Sequence, residues 1–334
     1  MKIGVCLFNG LQHPNDVRPL TAVYDDMRDL VTTADKVGLD SAWVSAHHFT
    51  EEGYVSSVLP TLGAFAEATE DISLGTSMLL APLHDPVRVA EDAATLSLLS
   101  NGRMTLGLTN GYRDEEFEQF GVEKRDRALK TEEMIHVAGA AWSDGPLGFE
   151  PRFHIATAEA NVTPKPVDSP GITIGGTAKP AVRRAALFGD GWTAPETLPF
   201  KDIEKRVRYQ KRLREVEKLN GEFTTYVQRY CFVDDSTDEA WERFREPLFY
   251  MQRKYDEYSA GEPVDELSAE RQRHMKKQSI VGSPTEVISQ TQRFQKELGD
   301  DVHVLLRPYM PGLGTDTIRE CIDRLGNEVA PALR

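Results

Sequence analysis

Short, continuous apolar segments recur along the chain, and each is followed by a longer amphipathic segment. Eight of them are predicted strands, at residues 2–8, 40–46, 72–78, 103–109, 172–176, 190–194, 224–233 and 302–308. Continuous apolar strands are typical of parallel sheets that are covered by helices. The pattern therefore predicts an α/β fold. The count of strands and the length of 334 residues fit a closed (β/α)8 TIM barrel, with a doubly wound open sheet as the alternative.

The segments between these strands carry helix signals. In residues 20–37, Val23, Met27 and Leu30 recur at helical spacing, and Gly38 ends the segment. Pro86 begins another helix, in the first turn where proline is favoured. The remaining helices are expected at 58–68, 126–142, 179–188, 200–219, 238–258, 284–298 and 315–327.

Two insertions interrupt this alternation, one after the fourth strand and one after the seventh. Residues 143–170 contain glycine, proline and short β-like pieces, whereas residues 245–278 are highly charged and include three tyrosines. A long excursion of the second kind is typical of a lid that excludes water, or of a solvated helix and linker. We expect a single barrel domain over residues 1–334, with 245–278 as a candidate lid.

Composition excludes several classes of function. The chain has 39 basic and 53 acidic residues and a net charge of −14, which argues against nucleic acid or an anionic membrane surface as a general partner. No apolar run reaches the ~18 residues of a membrane helix, and the start of the chain is not typical of a signal peptide. The three cysteines form no metal-ligand spacing and no evident disulfide framework, so we expect no metal site and a cytoplasmic location.

In a barrel, catalytic residues lie at the carboxyl ends of the strands. This rule selects a small set of positions: Phe8 and Asn9, His47 and His48, Ser77 and Met78, Thr109 and Asn110, Gly175 to Thr177, Trp192 to Glu196, and Arg307. A histidine there can act as an acid, a base or a hydrogen-bond donor. Either one of the adjacent pair His47 and His48 is such a functional imidazole, or the pair is buried and structural.

The glycines after the fifth strand form a second candidate site. Gly175, Gly176, Thr177 and Ala178 precede a helix, where free backbone N–H groups can bind an anion, although Gly-Gly is as often a tight turn. Arg113, Arg125 and Arg127 follow the fourth strand, and any of them could bind a phosphate or be solvated. Trp192 could lie along a flat ring or fill the core. The spacing is neither a dinucleotide-binding fingerprint nor a P-loop.

Taken together, several segments resemble the bacterial luciferase-like flavin monooxygenase family. The matching pieces are WVSAHHFTEEG (43–53), LGTSMLLAPLHDPVRVAED (74–92), LSNGRMTLGLTNGY (99–112), EEFEQFGV (115–122), VTPKPV (162–167), IGGTAKP (174–180), GDGW (189–192) and IVGSPTEV (280–287). They occur in order and cover most of the chain outside 240–278. The resemblance implies a (β/α)8 barrel that binds reduced FMN or, in a sister branch, the deazaflavin coenzyme F-420.

The resemblance also implies roles for individual residues. His47 corresponds to the catalytic histidine, and Ser77 and Met78 to a non-prolyl cis peptide beneath the flavin ring. Thr109 and Asn110 correspond to residues beside the flavin, where luciferases have cysteine and arginine, and this difference weakens any inference of light emission. Phosphate contacts are implied for Arg127, which matches with a one-residue gap, and for the loop Gly176, Thr177 and Ala178; Gly175 and Trp192 complete the expected cofactor site. Residues 58–68 and 86–99 correspond to dimerising helices.

The implied reaction is oxygenation of a small organic substrate, such as an aldehyde or ketone, by reduced FMN and dioxygen through a peroxyflavin. A separate NAD(P)H:flavin reductase would supply the reduced flavin, and the protein would be a homodimer. Two alternatives remain open at this point. One is a deazaflavin-dependent dehydrogenase or reductase, and the other is a flavin-binding protein without catalysis.

Overall fold

The computed structural model describes residues 1–334, with every side chain except that of Leu7. The strands are β1 (Lys2–Phe8), β2 (Ser41–Val44), β3 (Ser73–Thr76), β4 (Leu79–Leu80), β5 (Met104–Thr109), β6 (Gly171–Gly175), β7 (Gly191–Ala194), β8 (Thr224–Val233), β9 (Ile280–Gly282) and β10 (Val302–Arg307). The helices are α1 (Leu20–Lys36), α2 (Val58–Ala68), α3 (Pro86–Leu99), α4 (Asp114–Gln119), α5 (Arg127–Trp142), α6 (Lys179–Phe188), α7 (Phe200–Val216), α8 (Thr237–Ala260), α9 (Ala269–Gln278), α10 (Pro284–Leu298) and α11 (Thr315–Arg324).

The strands form a closed parallel barrel, which confirms the predicted (β/α)8 fold and rules out the open sheet. The order around the barrel is β1-β2-β3-β5-β6-β7-β8-β10, and β10 pairs with both β8 and β1. The short strand β4 follows β3 and pairs with β5. Strand β9 pairs only with the end of β8, through Cys231 and Ile280, and lies outside the closed ring.

The amino-terminal part of the barrel interior is filled by side chains. Trp43, Cys6 and Leu305 form a buried cluster there. The indole of Trp43 needs a glycine on the next strand, because a Cβ on Gly75 would lie 2.3 Å from its ring. The Nε1 of Trp43 donates to Oγ of Ser41 at 2.8 Å. This packing fills that part of the barrel interior.

The two insertions differ in part from the sequence prediction. Residues 143–170 contain no strand, and helix α4, which lies before this insertion, was not predicted. The charged segment 259–278 includes helix α9, which is short and buries only Met275 and Gln278. Two buried residues are too few to produce the apolar stripe from which a helix is predicted.

Candidate active site

A cavity of about 640 Å³ lies at the carboxyl ends of the barrel strands. This volume is within the ~300–1,000 Å³ typical of small-molecule sites. Ten of the eleven site residues expected from the sequence line this cavity: His47, Ser77, Met78, Thr109, Asn110, Arg127, Gly175, Gly176, Thr177 and Ala178. The fold therefore brings together residues that are far apart in the sequence.

Trp192 is the exception, because it does not line the cavity. Its side chain is fully buried on β7, and its Nε1 donates to the carbonyl oxygen of Gly176 at 2.8 Å. The indole thus fixes the glycine loop from behind. This position favours a supporting role for Trp192 over a contact with a flat cofactor ring.

Met78 occupies the floor of the cavity, next to two glycines. The peptide bond between Ser77 and Met78 is cis. A Cβ on Gly107 would lie 2.7 Å from Sδ of Met78, and one on Gly175 would lie 3.2 Å from its Cγ. The absence of side chains at these two positions makes room for Met78. Ser77 is held by Gln228, whose Nε2 donates to its Oγ.

The loop after β6 gives the cavity a wall of bare backbone. Gly176 has a φ of +125°, and a Cβ there would lie 2.9 Å from that of Ala181. Helix α6 begins directly after this loop. Arg127 lines the same cavity. Its Nη1 donates to the carbonyl oxygen of Lys124 at 2.8 Å, which is the one hydrogen bond that the guanidinium makes to the described residues. Free N–H groups beside a helix start and a guanidinium are suited to an anion such as phosphate.

His47 is oriented by a buried carboxylate that sequence reasoning missed. Its Nδ1 lies 3.2 Å from Oε1 of Glu116, a residue of α4 with no solvent exposure. The same oxygen accepts the backbone N–H of His48 at 3.1 Å. This arrangement places a proton on Nδ1 of His47 and leaves Nε2 as the nitrogen without a partner among the described residues.

The charge of Glu116 is stabilised although the residue is buried. Burial by itself disfavours the charged carboxylate, but the hydrogen bonds from His47 and His48 outweigh it and lower the pKa of Glu116. Arg113 adds to this effect, with its Nη1 3.6 Å from Oε1. Arg113 also donates to the carbonyl oxygen of His48 at 2.7 Å, so it serves this network rather than a ligand. Burial lowers the pKa of His48 itself.

Four tyrosine rings surround His47. The ring centroids of Tyr54, Tyr255, Tyr258 and Tyr112 lie 4.9, 5.7, 5.8 and 6.0 Å from its imidazole. Tyr255 and Tyr258 belong to α8, which follows the seventh barrel strand. The insertion therefore packs directly against the expected catalytic residue, and these rings limit the access of water to it.

A buried ion pair supports these tyrosines from inside the barrel. Arg307 is fully buried, and its Nη1 donates to Oε1 of Glu196 at 2.7 Å. Its Nη2 donates to the hydroxyl of Tyr255 at 3.5 Å. That hydroxyl also shares a hydrogen bond with the hydroxyl of Tyr54, which accepts from Nδ2 of Asn9 at 3.0 Å. The strand-end rule selects Asn9, Glu196 and Arg307, but no sequence signal pairs them with the two tyrosines.

The part of the chain that the structure describes contains neither a metal-ligand cluster nor a membrane-spanning helix. No group of three or more His, Cys, Asp or Glu side chains is placed to hold a metal ion. No described helix is both long and apolar enough to span a bilayer.

The sequence profile of the luciferase-like monooxygenase family matches residues 1–301. The chain belongs to this family. The predicted resemblance is thereby confirmed, as is the prediction of an oxidoreductase of the luciferase-like monooxygenase class.

Similar proteins include members with different cofactors. The oxygenase component of flavin-dependent trigonelline monooxygenase from Acinetobacter baylyi is 23% identical, over 98% of this chain and 94% of its own length. The F420-dependent glucose-6-phosphate dehydrogenase of Amycolatopsis mediterranei is 24% identical, over 80% of this chain and 84% of its own. Among solved structures, the monooxygenase RslO1 from Streptomyces bottropensis has a TM-score of 0.89 at 18% identity, with both chains covered completely. At this identity the structural match supports the fold alone.

Proposed function

We propose that this protein is the oxygenase component of a two-component flavin monooxygenase, which uses reduced FMN and dioxygen to oxygenate a small organic substrate such as an aldehyde or ketone. The observation that carries the proposal is the convergence of His47, the Met78 floor and the glycine loop with Arg127 on one cavity. The similarity to a flavin-dependent oxygenase component over nearly the whole chain supports it.

The residues of the cavity fit FMN. The loop Gly175–Ala178 offers bare backbone where a Cβ at Gly176 would meet Ala181, and Arg127 has free guanidinium N–H groups for the phosphate. Met78, Thr109 and Asn110 line the part of the wall where a flat ring would lie. Trp192 would act indirectly, by holding the carbonyl of Gly176.

Reduced flavin supplies the electrons that activate dioxygen, which no side chain of the protein can do. The protein's part is to bind the reactants, exclude water and place a proton. Glu116 holds the proton of His47 on Nδ1, so Nε2 faces the cavity as a hydrogen-bond acceptor or, after protonation, as a donor. In this position His47 exchanges a proton with the reacting groups.

The segment 245–278 would act as a lid. Tyr255 and Gln252 of α8 and Arg271 of α9 line the cavity, and the hydroxyl of Tyr258 donates to Glu52 at 2.9 Å. These contacts close the side of the cavity next to His47. A closed cavity keeps water from the intermediate steps of oxygen chemistry.

We further propose that a separate NAD(P)H:flavin reductase supplies the reduced FMN and that both proteins act in the cytoplasm. The similarity to the oxygenase component of a flavin-dependent monooxygenase supports such a partner. We also propose a homodimer formed through α2 and α3. Leu98 and Leu99 at the end of α3 are 46% and 59% exposed, so this helix leaves two adjacent apolar side chains uncovered. Closed twofold assembly is the commonest way to cover such a surface.

A deazaflavin-dependent dehydrogenase is the second candidate, because relatives with that cofactor match most of the chain. Binding and oxygen chemistry separate the two functions. The proposed function predicts that photoreduced FMN binds under anaerobic conditions and is oxidised by oxygen on the protein. Binding of the reduced deazaflavin coenzyme, without binding of FMN, would favour hydride transfer instead. Tight FMN binding without turnover of any substrate would favour a non-catalytic flavin carrier.

A further inference from the structure

Arg271 lines the cavity but has no role in the proposed flavin site described above. It lies in the first turn of α9 and lines the same cavity as Arg127 and the glycine loop. Its side chain is 35% exposed, so the guanidinium is neither buried in the core nor free in solvent.

The hydrogen-bonding capacity of Arg271 is mostly unused. The one acceptor of its guanidinium among the described residues is Oδ1 of Asp256, 3.3 Å from Nη2. The same oxygen of Asp256 already accepts from Nε2 of Gln252 at 2.9 Å. Nε, Nη1 and the second N–H group of Nη2 have no partner among the described residues. By contrast, the guanidinium of Arg307 is committed to Glu196 at 2.7 Å.

Helix α9 holds Arg271 in a fixed position relative to the barrel. Oγ of Ser268 accepts the backbone N–H of Arg271 at 3.2 Å and caps the helix. Nε2 of His274 lies 2.9 Å from the carbonyl oxygen of Thr197, in the loop after β7. Met275 is buried completely. A long side chain on an anchored helix loses less freedom when it binds a ligand than one on a mobile loop.

We propose that Arg271 binds an anionic group, a phosphate or a carboxylate, of a ligand in this cavity. The proposal builds on the proposed function and adds a second cation to the site, on the lid segment itself. Because Nη2 forms one edge of the guanidinium with Nε and the other edge with Nη1, the edge that does not bind Asp256 keeps two free N–H groups. These two groups match two oxygens of such an anion. The anion is either the phosphate of the flavin or a carboxylate of the substrate, and Asp256 is the internal group with which it competes.

Four variants and four probes test this proposal. Arg271→Gln removes the charge, Arg271→Lys keeps it, and Asp256→Asn removes the competing carboxylate. Arg273→Gln is the matched control, since Arg273 is an exposed residue of the same helix. FMN and riboflavin differ by the phosphate, and benzoate and benzamide differ by the negative charge. Flavin binding is read by fluorescence, and benzoate and benzamide binding by calorimetry on flavin-free and FMN-loaded protein.

The proposal predicts that Arg271→Gln weakens the binding of one anionic probe by about 10-fold or more, as expected for the loss of a charged hydrogen bond. The affinity for the neutral counterpart of that probe should stay unchanged. Loss of FMN binding identifies the flavin phosphate, and loss of benzoate binding identifies a substrate carboxylate. Arg271→Lys should recover part of the loss, Asp256→Asn should strengthen the same probe, and Arg273→Gln should change nothing.

The proposal is overturned if Arg271→Gln binds all four probes within twofold of the unchanged protein, or if it weakens neutral and anionic probes equally. A different result contradicts the proposed function: the unchanged protein then binds neither FMN nor riboflavin. In that case calorimetry with benzoate and benzamide on flavin-free protein still decides whether Arg271 binds an anion.

Discussion

Nδ1 of His47 lies 3.2 Å from Oε1 of Glu116, although the two residues are 69 positions apart in the chain. The carboxylate fixes which nitrogen of the imidazole carries the proton, and it does so without touching the cavity itself. The His47–Glu116 pair is therefore the structural basis for the proton-handling role that we assign to His47.

Replacing Glu116 by Gln should slow turnover by roughly 10- to 100-fold, less than the loss of the acid–base residue itself. The amide of Gln has the shape of the carboxylate, but its N–H group can point at Nδ1 in place of an accepting oxygen. The tautomer of His47 with the proton on Nδ1 would then be destabilised. The pH profile of turnover should shift as well, because the negative charge next to the imidazole is lost. A variant with unchanged rate and unchanged profile would show that Glu116 is only a structural residue.

Replacing His47 by Ala should slow turnover by ~100-fold or more, as expected for a general acid–base residue. The affinity for FMN should stay close to that of the unchanged protein, because in the proposed site it is the glycine loop and Arg127 that bind the phosphate. Steady-state kinetics and an FMN titration on the same preparation separate the two effects. Normal turnover in this variant would exclude the catalytic role.

Replacing Gly176 by Ala should weaken FMN binding and destabilise the protein by about 1–3 kcal/mol, because its φ of +125° is strained for any side chain. The new Cβ would also lie 2.9 Å from that of Ala181. Gly145→Ala is the control, since Gly145 has a φ of +91° and no atom near its Cβ position. Urea unfolding and FMN titration of both variants are the measurements, and an equal loss of FMN affinity in both would contradict a specific role of the loop.

Replacing Tyr255 by Phe should loosen the lid segment. The change removes the hydroxyl that bonds to Tyr54 and Arg307 but keeps the ring against His47. A lost hydrogen bond of about 0.5–1.5 kcal/mol should raise amide exchange of α8 several-fold. More of the reduced flavin should then be oxidised by dioxygen, which is reduced to hydrogen peroxide, without formation of an oxygenated product. If amide exchange of α8 and the yield of hydrogen peroxide both stayed unchanged, the proposal that residues 245–278 act as a lid would be contradicted.

His303 should make stability depend on pH. Burial, with smaller contributions from Lys2 and the N-terminus, lowers the pKa of His303 from 6.5 to about 3. Below pH 6.5 the unfolded chain takes up a proton that the folded chain does not, so the free energy of unfolding falls by ~1.4 kcal/mol per pH unit until pH approaches the folded pKa. His303→Asn should reduce this slope by that amount between pH 6 and 5. An unchanged slope in urea unfolding would contradict the assignment.

The sequence predicted the barrel well because its strands are buried on both faces and bounded by clear turns. The residues after those strands, from His47 to Ala178, were predicted by strand-end position and family resemblance together. Trp192 shows the limit of this reasoning: its strand was identified, but not the face of the strand to which the indole points. The short strands of this barrel are buried on both faces, so the hydrophobic periodicity does not show which side chains point into the barrel and which point out.

Glu116 and Tyr255 were beyond sequence reasoning for another physical reason. Glu116 lies on α4, after the fourth barrel strand, and Tyr255 lies on α8, after the seventh. The positions of these two helices relative to His47 depend on tertiary contacts rather than on local sequence pattern. The acidic segment around Glu116 is typical of a solvated helix, and nothing in it indicates that one carboxylate is fully buried. Only the fold brings that carboxylate to His47.

The central claim is tested most directly by anaerobic titration with photoreduced FMN, followed by rapid mixing with oxygen. The account predicts stoichiometric binding of reduced FMN and then a transient species whose absorbance differs from those of both reduced and oxidised flavin. If reduced FMN does not bind, or is oxidised without a transient, the monooxygenase account is contradicted and the deazaflavin-dependent dehydrogenase becomes the leading one.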